Sequence, residues 1–259
     1  MNKPIGIFDS GVGGTSIWKE IAQLLPNEHT IYLADSKHAP YGTKTKEEIL
    51  RLSIKNTELL LEKGAKIVFV ACNTATTNAI EYLRKHYSVP FIGIEPAIKP
   101  AALHTKINKV GILATKGTLA SDLFHNTSKI HASGIEVLEQ EGKGLVKLIE
   151  EGKENAEEIK LLLQEYLRPM LKAGIDCLVL GCTHYPYLIP ILRQILPKNI
   201  QIIDSGFAVA RQTKAVLSKN GLLNTEKVQV QHLFYTNHEV EVLRHFVGNQ
   251  ASSIARLDF

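Results

Sequence analysis

The chain is organised around two similar stretches, Val68-Phe69-Val70-Ala71-Cys72-Asn73-Thr74 and Leu178-Val179-Leu180-Gly181-Cys182-Thr183-His184. In each stretch an apolar run ends at a cysteine, which small polar residues and then a helical pattern follow. Such a run is typical of a strand buried in a parallel sheet, and open α/β sheets bind their ligands beyond the carboxyl ends of the strands. Both thiols are therefore expected at a functional site, and their similar settings indicate a matched pair.

The composition predicts a globular chain with a substantial core. Of the 259 residues, 44% are hydrophobic and 22% are charged, which is enough for one large or two small α/β domains. The net charge is +4, from 30 basic and 26 acidic residues. This small excess is spread along the chain and forms no basic stripe interleaved with aromatic residues, so we expect no nucleic-acid partner.

Three further features indicate where the protein works. No apolar run approaches the roughly 20 residues that span a bilayer, so we expect no membrane association. The segment Met1-Asn2-Lys3-Pro4 leads directly into a strand pattern, which argues against a signal peptide. Three cysteines are a sparse, odd number that favours a reducing compartment over a disulfide framework. We therefore expect a cytoplasmic protein.

Strand and helix patterns alternate along the chain, which predicts an α/β fold with mostly parallel sheets. Besides the two strands that end at Cys72 and Cys182, strands are predicted at residues 5–8, 30–34, 91–95, 108–115, 135–139, 200–203 and 228–235. Helices are predicted at residues 15–25, 46–63, 145–151, 156–173, 207–219 and 239–247, and after each of the two cysteines as far as residues 87 and 192.

A faint internal repeat indicates two similar halves. Residues 110–118 resemble residues 5–14 in outline, as a strand, a small polar loop and the start of a helix, and each copy precedes one of the paired cysteines at a similar distance. We predict a first domain of residues 1–97 plus 205–259 and a second domain of residues 98–204. Each domain then supplies one thiol to the space between them.

The first strand is followed by a glycine-rich loop, Asp9-Ser10-Gly11-Val12-Gly13-Gly14. Its glycines do not fit the dinucleotide fingerprint, and no Gly-Lys-Ser/Thr of a P-loop follows. One interpretation is a tight strand-to-helix turn in which Asp9 caps the helix. The other is a loop that brings backbone amides close to a ligand.

The residues alone leave several chemistries open for the two thiols. Cys182 with His184 could form a nucleophilic pair, although the second thiol then has no role. A metal ion could be bound by Cys72, Cys182 and His184, although a structural zinc ion needs a fourth ligand. The two cysteines could instead form a redox disulfide, although neither lies in a C-x-x-C motif. Both could be inert buried cysteines, as we expect of Cys177 inside its strand. Two-base proton transfer, with Asp9 and His184 as proton partners, uses both thiols symmetrically.

Four motifs together resemble those of bacterial glutamate racemases, of the cofactor-independent aspartate/glutamate racemase superfamily. They are Asp9 to Gly14, Pro40-Tyr41-Gly42, Ala71-Cys72-Asn73-Thr74 and Gly181-Cys182-Thr183-His184-Tyr185-Pro186, and the resemblance covers nearly the whole chain. It implies interconversion of L- and D-glutamate, with D-glutamate supplied for peptidoglycan synthesis and with neither pyridoxal phosphate nor a metal ion. It also implies two α/β domains related by a pseudo-twofold axis, a substrate cleft between them, and a homodimer.

The resemblance also implies roles for individual residues. Cys72 would deprotonate D-glutamate and Cys182 L-glutamate, with Asp9, His184 and Glu150 assisting. The substrate would be bound by Asp9, Ser10, Tyr41, Gly42, Asn73, Thr74, Thr183 and His184.

The chain departs from the family pattern at residues 141–147, where many members carry a Cys-Pro pair, so either Glu150 or Glu151 could be the assisting carboxylate. The alternatives to glutamate racemisation are a racemase for aspartate or another acidic amino acid and a non-catalytic protein that binds through its thiols or a metal ion.

Overall fold

The protein is described from a computed structural model in which residues 3–226 and 229–259 are placed. The strands of this part of the chain are β1 (Ile5–Asp9), β2 (Thr30–Ala34), β3 (Ile67–Val70), β4 (Phe91–Gly93), β5 (Lys109–Ala114), β6 (Glu136–Glu141), β7 (Cys177–Gly181), β8 (Gln201–Ile203), β9 (His232–Thr236) and β10 (Ser253–Arg256).

The strands form two sheets in which every pair is parallel. The six-stranded sheet has the order β10-β9-β2-β1-β3-β4, and the four-stranded sheet has the order β6-β5-β7-β8. The first four strands of the chain and the next four therefore follow the same order. The predicted fold class, two similar parallel α/β units, is confirmed.

Helices connect the strands, as parallel sheets require. They are α1 (Thr15–Leu24), α2 (Lys46–Glu62), α3 (Asn73–His86), α4 (Ile98–His104), α5 (Lys116–Leu119), α6 (Asp122–His131), α7 (Leu145–Glu150), α8 (Glu157–Ala173), α9 (Ile189–Ile195), α10 (Gly206–Lys219) and α11 (Val240–Val247). Short 3₁₀ turns lie at Ser36–His38, Tyr41–Thr43, Tyr185–Leu188 and Gly248–Gln250.

Most predicted elements agree with the structure to within a few residues, and the differences have local causes. The predicted strand at 91–95 ends at Gly93, because Ile94 leaves the ladder and donates its backbone N–H to the Thr76 hydroxyl (3.0 Å). The helix predicted directly after Cys182 begins as a 3₁₀ turn and becomes α-helical only at Ile189. The late strand begins at His232, and Val228 of its predicted range lies outside the described residues.

The last part of the chain returns to the first sheet. β9 pairs with β2 and β10 pairs with β9. α10 packs along α1. This arrangement is in keeping with the predicted domain division at residues 97 and 204, which stays a prediction. Within the described residues, no helix has the combination of length and apolarity that crossing a bilayer would require.

Candidate active site

Cys72 lies where the central strands of the first sheet end. β3 pairs directly with β1, so the loop after β3 lies beside the loop that follows Asp9. Cys72 is the N-cap of α3, where its Sγ accepts the backbone N–H of Ala75 (3.4 Å). The thiol also lies 3.6 Å from the Ser10 hydroxyl. The loop after β1 and the loop after β3 therefore lie side by side, as predicted.

Burial and a nearby carboxylate keep Cys72 in its thiol form. The side chain is 5% exposed. Burial raises the pKa of Cys72 well above its ordinary value, and the charge of Asp9 raises it further. The hydrogen bonds with Ala75 and Ser10 lower the pKa but do not offset the burial. The Cys72 side chain is thus suited to donate a proton.

Cys182 occupies the corresponding position of the second sheet, directly after β7. Its Sγ lies 3.7 Å from Nδ1 of His184. Nε2 of the same imidazole lies 2.5 Å from Oε1 of Glu150. The three groups form a chain from the thiol through the imidazole to a carboxylate, so a proton can pass between Cys182 and His184 while Glu150 orients the ring.

His184 is held in its protonated form by these two neighbours. Burial alone would lower its pKa, because the ring is almost fully enclosed. The contacts with Cys182 and Glu150 outweigh that effect and place the pKa of His184 well above 6.5. The imidazolium therefore stands beside Sγ of Cys182.

Glu150 is the acidic residue of α7 that reaches the site. Its Oε1 accepts the backbone N–H of Val12 (2.7 Å), and its Oε2 accepts the Ser36 hydroxyl (2.8 Å). The next residue, Glu151, is exposed and pairs with Lys153 (2.6 Å). The departure at residues 141–147 therefore leaves Glu150, not Glu151, in contact with His184.

Asp9 is buried between the two halves of the site. Its Oδ2 accepts the backbone N–H of Gly14 (2.8 Å), and its Oδ1 lies 3.5 Å from the Thr183 hydroxyl. Burial raises its pKa to about 6, against the opposing influence of His184. Asp9 thus holds the residue that precedes α1 and lies directly behind the site. The predicted capping role is not seen, because the N-cap of α1 is Gly14 and no side chain makes a capping hydrogen bond there.

The glycine-rich loop is shaped by the side chains that press on it. A Cβ atom on Gly11 would lie 1.9 Å from Oε1 of Glu150, and one on Gly13 would lie 2.2 Å from Nδ1 of His184. Real Cβ atoms do not approach other heavy atoms so closely, so a side chain at either position would displace Glu150 or His184. The loop therefore serves as a close backing for Glu150 and His184.

The two thiols face one narrow cleft between the sheets. It is lined by Ser10, Pro40, Tyr41, Gly42, Cys72, Asn73, Thr74, Thr115, Val146, Cys182, Thr183 and His184. The structure thus brings together the predicted site residues, with Asp9 and Glu150 directly behind the lining. Cys177 lies in β7, away from the cleft and buried among apolar side chains.

Thr115 is a lining residue that our sequence reasoning did not single out. It follows β5 just as Cys182 follows β7, and the last residues of these strands, Ala114 and Gly181, are register partners. Its hydroxyl lies 2.8 Å from that of Thr74, which belongs to α3 of the other half. The internal repeat was the signal for it, because Thr115 follows the second copy of the strand just as Ser10 follows the first.

Tyr41 lines the cleft, but its hydroxyl points elsewhere. The hydroxyl donates to Oδ2 of Asp35 and lies 3.1 Å from Nδ2 of Asn56. The residue is 1% exposed, and burial raises the pKa of its phenol well above 10. Only the ring and backbone of Tyr41 face the cleft, so its predicted part in substrate binding does not involve the hydroxyl in this structure.

Within residues 3–226 and 229–259, no group of three or more His, Cys, Asp and Glu side chains is arranged to hold a metal ion. Cys72, Cys177 and Cys182 are all free thiols. Cys72, Cys182 and His184 thus lie at one site without forming a coordination shell.

Comparison with known proteins identifies the family. A family model described as Asp/Glu/Hydantoin racemase matches residues 5–213. The glutamate racemase of Herpetosiphon aurantiacus is 46% identical over 228 residues, which is 88% of this chain and 90% of that protein.

Solved structures agree with this match. The structure of Escherichia coli glutamate racemase in complex with L-glutamate and the activator UDP-MurNAc-Ala has a TM-score of 0.88 at 33% identity, covering 99% of this chain and 98% of that one. The structure of the Francisella tularensis glutamate racemase in complex with D-glutamate has a TM-score of 0.86 at 30% identity, with the same coverage. The resemblance carried by the four motifs is confirmed, and this chain belongs to the Asp/Glu/Hydantoin racemase family.

Proposed function

We propose that the protein is a glutamate racemase that interconverts L- and D-glutamate by proton transfer between Cys72 and Cys182, without a cofactor. One observation carries the proposal. Two thiols from corresponding positions of two similar sheets line a single cleft, each with its own carboxyl or imidazole partner. Nucleophilic catalysis would leave one of the two thiols without a role, whereas racemisation needs an acid and a base on opposite faces of one carbon atom.

The proposed reaction in the L-to-D direction begins at Cys182. Its thiolate accepts the α-proton of L-glutamate, and the electron pair left on the carbon is delocalised into the α-carboxylate. Cys72 then donates its thiol proton to the opposite face, which yields D-glutamate and leaves the Cys72 thiolate. One C–H bond breaks and another forms, so the step needs no oxidant or reductant. The D-to-L direction begins from that final protonation state.

The neighbours of the thiols fit this sequence of protonation states. Cys72, whose pKa is raised, retains the proton that it must donate. His184 can exchange a proton with Cys182, and Glu150 holds the imidazole ring in place. Asp9 lies beside both loops, and burial raises its pKa to about 6. Such matching of pKa values to the task is what acid–base catalysis requires.

The cleft also suits a dicarboxylate. Its polar lining consists mainly of hydroxyl groups, from Ser10, Thr74, Thr115 and Thr183, together with the Asn73 amide. The Asn73 Oδ1 atom is buried and has no hydrogen-bond partner among the described residues, so it can accept an N–H from a bound molecule. Neutral donors can hold two carboxylates and stabilise charge on the α-carboxylate without introducing a competing base. The two relatives solved with L- and D-glutamate support glutamate as the substrate.

The test is an α-proton NMR experiment on L-glutamate in D₂O with chelator-treated protein and no added cofactor. We expect loss of the α-proton signal together with the appearance of D-glutamate on a chiral column. Aspartate run in parallel is expected to react much more slowly. Faster reaction of aspartate would assign the enzyme to that substrate, and inert amino acids with folded protein would favour a non-catalytic thiol protein.

We further propose that the product supplies peptidoglycan synthesis in the cytoplasm and that the protein is a homodimer. The muramyl nucleotide bound as an activator in the Escherichia coli relative supports the cell-wall role. Depletion of the protein in its host should create a requirement for added D-glutamate, and sedimentation analysis should give twice the mass of one chain. Growth without D-glutamate, or a monomer at working concentration, would contradict the respective proposal.

A further inference from the structure

A second buried carboxylate, Asp35, lies beside the site at the carboxyl end of β2. The residue is fully buried, and β2 pairs with β1, which carries Asp9. The proposed reaction does not use Asp35. A buried carboxylate is costly unless it is hydrogen-bonded, so its partners indicate what it holds in place.

The Asp35 carboxylate binds side chains from three segments of the chain: the loop that follows it, α2 and the segment after β9. Its Oδ2 accepts the Tyr41 hydroxyl and lies 3.4 Å from Nδ2 of Asn56, on α2. Its Oδ1 accepts Nδ2 of Asn237 (2.5 Å) and lies 2.6 Å from Nδ1 of His38. Lys55 of α2 adds a positive charge 3.9 Å away. The carboxylate thus ties the loop of residues 36–44 to α2 and to the segment after β9.

Asn237 strengthens the same attachment from the segment that follows β9. Its Oδ1 accepts the backbone N–H of Lys37 (2.9 Å), while its Nδ2 donates to Asp35. Asn237 is 2% exposed. The loop is therefore held through its backbone at Lys37 and through its side chain at Tyr41, with Asp35 between the two points.

The fixed loop delivers Pro40, Tyr41 and Gly42 to the wall of the cleft. There it meets the other half of the molecule with almost no spare room. A Cβ on Gly42 would lie 2.8 Å from the Cβ of Thr115, and one on Gly117 would lie 3.1 Å from the Cα of Gly42. A small displacement of the loop would therefore change the width of the cleft beside Cys72.

We propose that Asp35 is a positioning residue that fixes the Pro40-Tyr41-Gly42 wall of the cleft, and that the Tyr41 hydroxyl serves Asp35 rather than the substrate. The inference rests on the proposed function for its kinetic consequences. Asp35 does not touch the reacting atoms in this account. It acts through the loop, so its loss should impair the binding of both enantiomers alike.

A matched control is available at the opposite end of the same sheet. Glu28 is 1% exposed and pairs with Lys66 (2.6 Å), and it accepts the backbone N–H of Asn224 (2.7 Å). It is another buried carboxylate with a charged and a backbone partner, but it lies before β2 rather than after it. A purely structural carboxylate should behave like Glu28.

The experiment compares Asp35→Asn with Glu28→Gln. For Asp35→Asn we expect KM to rise about tenfold for L- and D-glutamate, with kcat within about threefold of the wild type, because the loop acts on the binding of the substrate and supplies no proton-transferring group. For Glu28→Gln we expect unchanged kinetics at a comparable loss of stability. Equal kinetic effects in the two variants, or none in Asp35→Asn, would overturn the inference.

A double-mutant cycle of Tyr41→Phe with Asp35→Asn tests the assignment of the Tyr41 hydroxyl. If Asp35→Asn folds poorly, the milder variant Tyr41→Phe tests the wall alone, because it removes one of the two points that hold the loop and should raise KM for both enantiomers; an unchanged KM in Tyr41→Phe would contradict the proposal. If the hydroxyl acts through Asp35, the double variant should have nearly the same KM as Asp35→Asn. If the hydroxyl binds substrate, the two effects should multiply, and that result would contradict the proposal.

Alkylation of Cys72 gives a readout that does not depend on racemisation. A displaced loop should expose this thiol, so iodoacetamide should label Cys72 several-fold faster in Asp35→Asn than in the wild type or in Glu28→Gln, as followed by mass spectrometry. Faster labelling without any racemase activity in the wild type would overturn the proposed function alone. Unchanged labelling would overturn the positioning role.

Discussion

At the scale of single residues, two adjacent glutamates at the end of α7 have different environments. Glu150 contacts His184 and a backbone amide of the glycine-rich loop, whereas Glu151 pairs with Lys153 at the surface. Glu150→Gln is expected to lower kcat by about tenfold or more and to lower the pKa of His184, since the imidazolium loses its anionic neighbour. The basic limb of the pH–rate profile should move to lower pH.

Glu151→Gln is the matched control for that prediction and should leave both kcat and the pH profile unchanged. Steady-state rates between pH 6 and 10 distinguish the two variants. If Glu151→Gln were the impaired variant, the assignment of the assisting carboxylate would be wrong.

Asp9 gives a prediction about the pH dependence of stability. Burial raises its pKa from 3.8 to about 6 in the folded state. Because the folded state binds this proton more tightly, the stability that the group contributes is complete below about pH 4 and is lost as the pH rises through 6. The free energy of unfolding of Asp9→Asn should therefore gain on that of the wild type as the pH rises. The difference between the two proteins should be about 3 kcal/mol more in favour of Asp9→Asn at pH 8 than at pH 4.

Urea unfolding of both proteins at pH 4 and pH 8 measures that difference, and racemase activity should fall in the variant despite its greater stability. A stability difference that does not change with pH would show that the Asp9 carboxylate carries no burial penalty.

At the scale of elements, α2 holds Asn56 and Lys55 against Asp35 and begins with a capping box. The Thr45 hydroxyl accepts the backbone N–H of Glu48 (3.2 Å), and the Glu48 carboxylate accepts that of Thr45 (3.1 Å). Thr45→Ala should lower the free energy of unfolding by about 1 kcal/mol. Because the cap is exposed and outside the cleft, kcat and KM should not change.

Chemical denaturation and initial-rate kinetics of Thr45→Ala check both parts of the prediction. An altered KM with unchanged stability would mean that the cap supports the cleft rather than the helix.

The strands also show which elements can be predicted from the sequence. The apolar runs at β1, β3 and β7 are continuous because both faces of these strands are buried, and that pattern is readable. β10 was not predicted, since Ser253–Arg256 is short and mostly exposed. It is an edge strand whose place is set by pairing with β9.

In the candidate site, too, residues marked by a local sequence pattern could be predicted, and contacts set by distant parts of the chain could not. Cys72 and Cys182 could be found from the strand-to-helix turns that carry them, and Asp9 from its place at the end of β1. The direction of the Tyr41 hydroxyl could not be predicted. Its partner Asp35 is held by Asn237, which lies about 200 positions further along the chain. Contacts of that kind depend on how β9 returns to the first sheet.

At the scale of the whole molecule, the chain passes between the two sheets twice, after β4 and after β8. The two passages are tied together by the Ser205 hydroxyl, which donates to the backbone oxygen of Glu95 (2.6 Å). Ser205→Ala should loosen the orientation of one half against the other, so we expect kcat and KM to change together, by about threefold to tenfold.

Steady-state kinetics in both directions test the role of this contact, with Ser128→Ala, on α6 of the second half, as a surface control. Unchanged kinetic constants in Ser205→Ala would mean that the two passages do not depend on each other.

The central claim is that Cys72 and Cys182 act on opposite faces of one substrate carbon, and α-hydrogen exchange in D₂O tests it most directly. Cys72→Ala should lose racemisation while it remains folded, and any exchange that survives should be confined to L-glutamate. Cys182→Ala should show the mirror result with D-glutamate, and Cys177→Ala should racemise normally. Normal racemisation by either cleft variant, or exchange of the same enantiomer by both, would contradict the account.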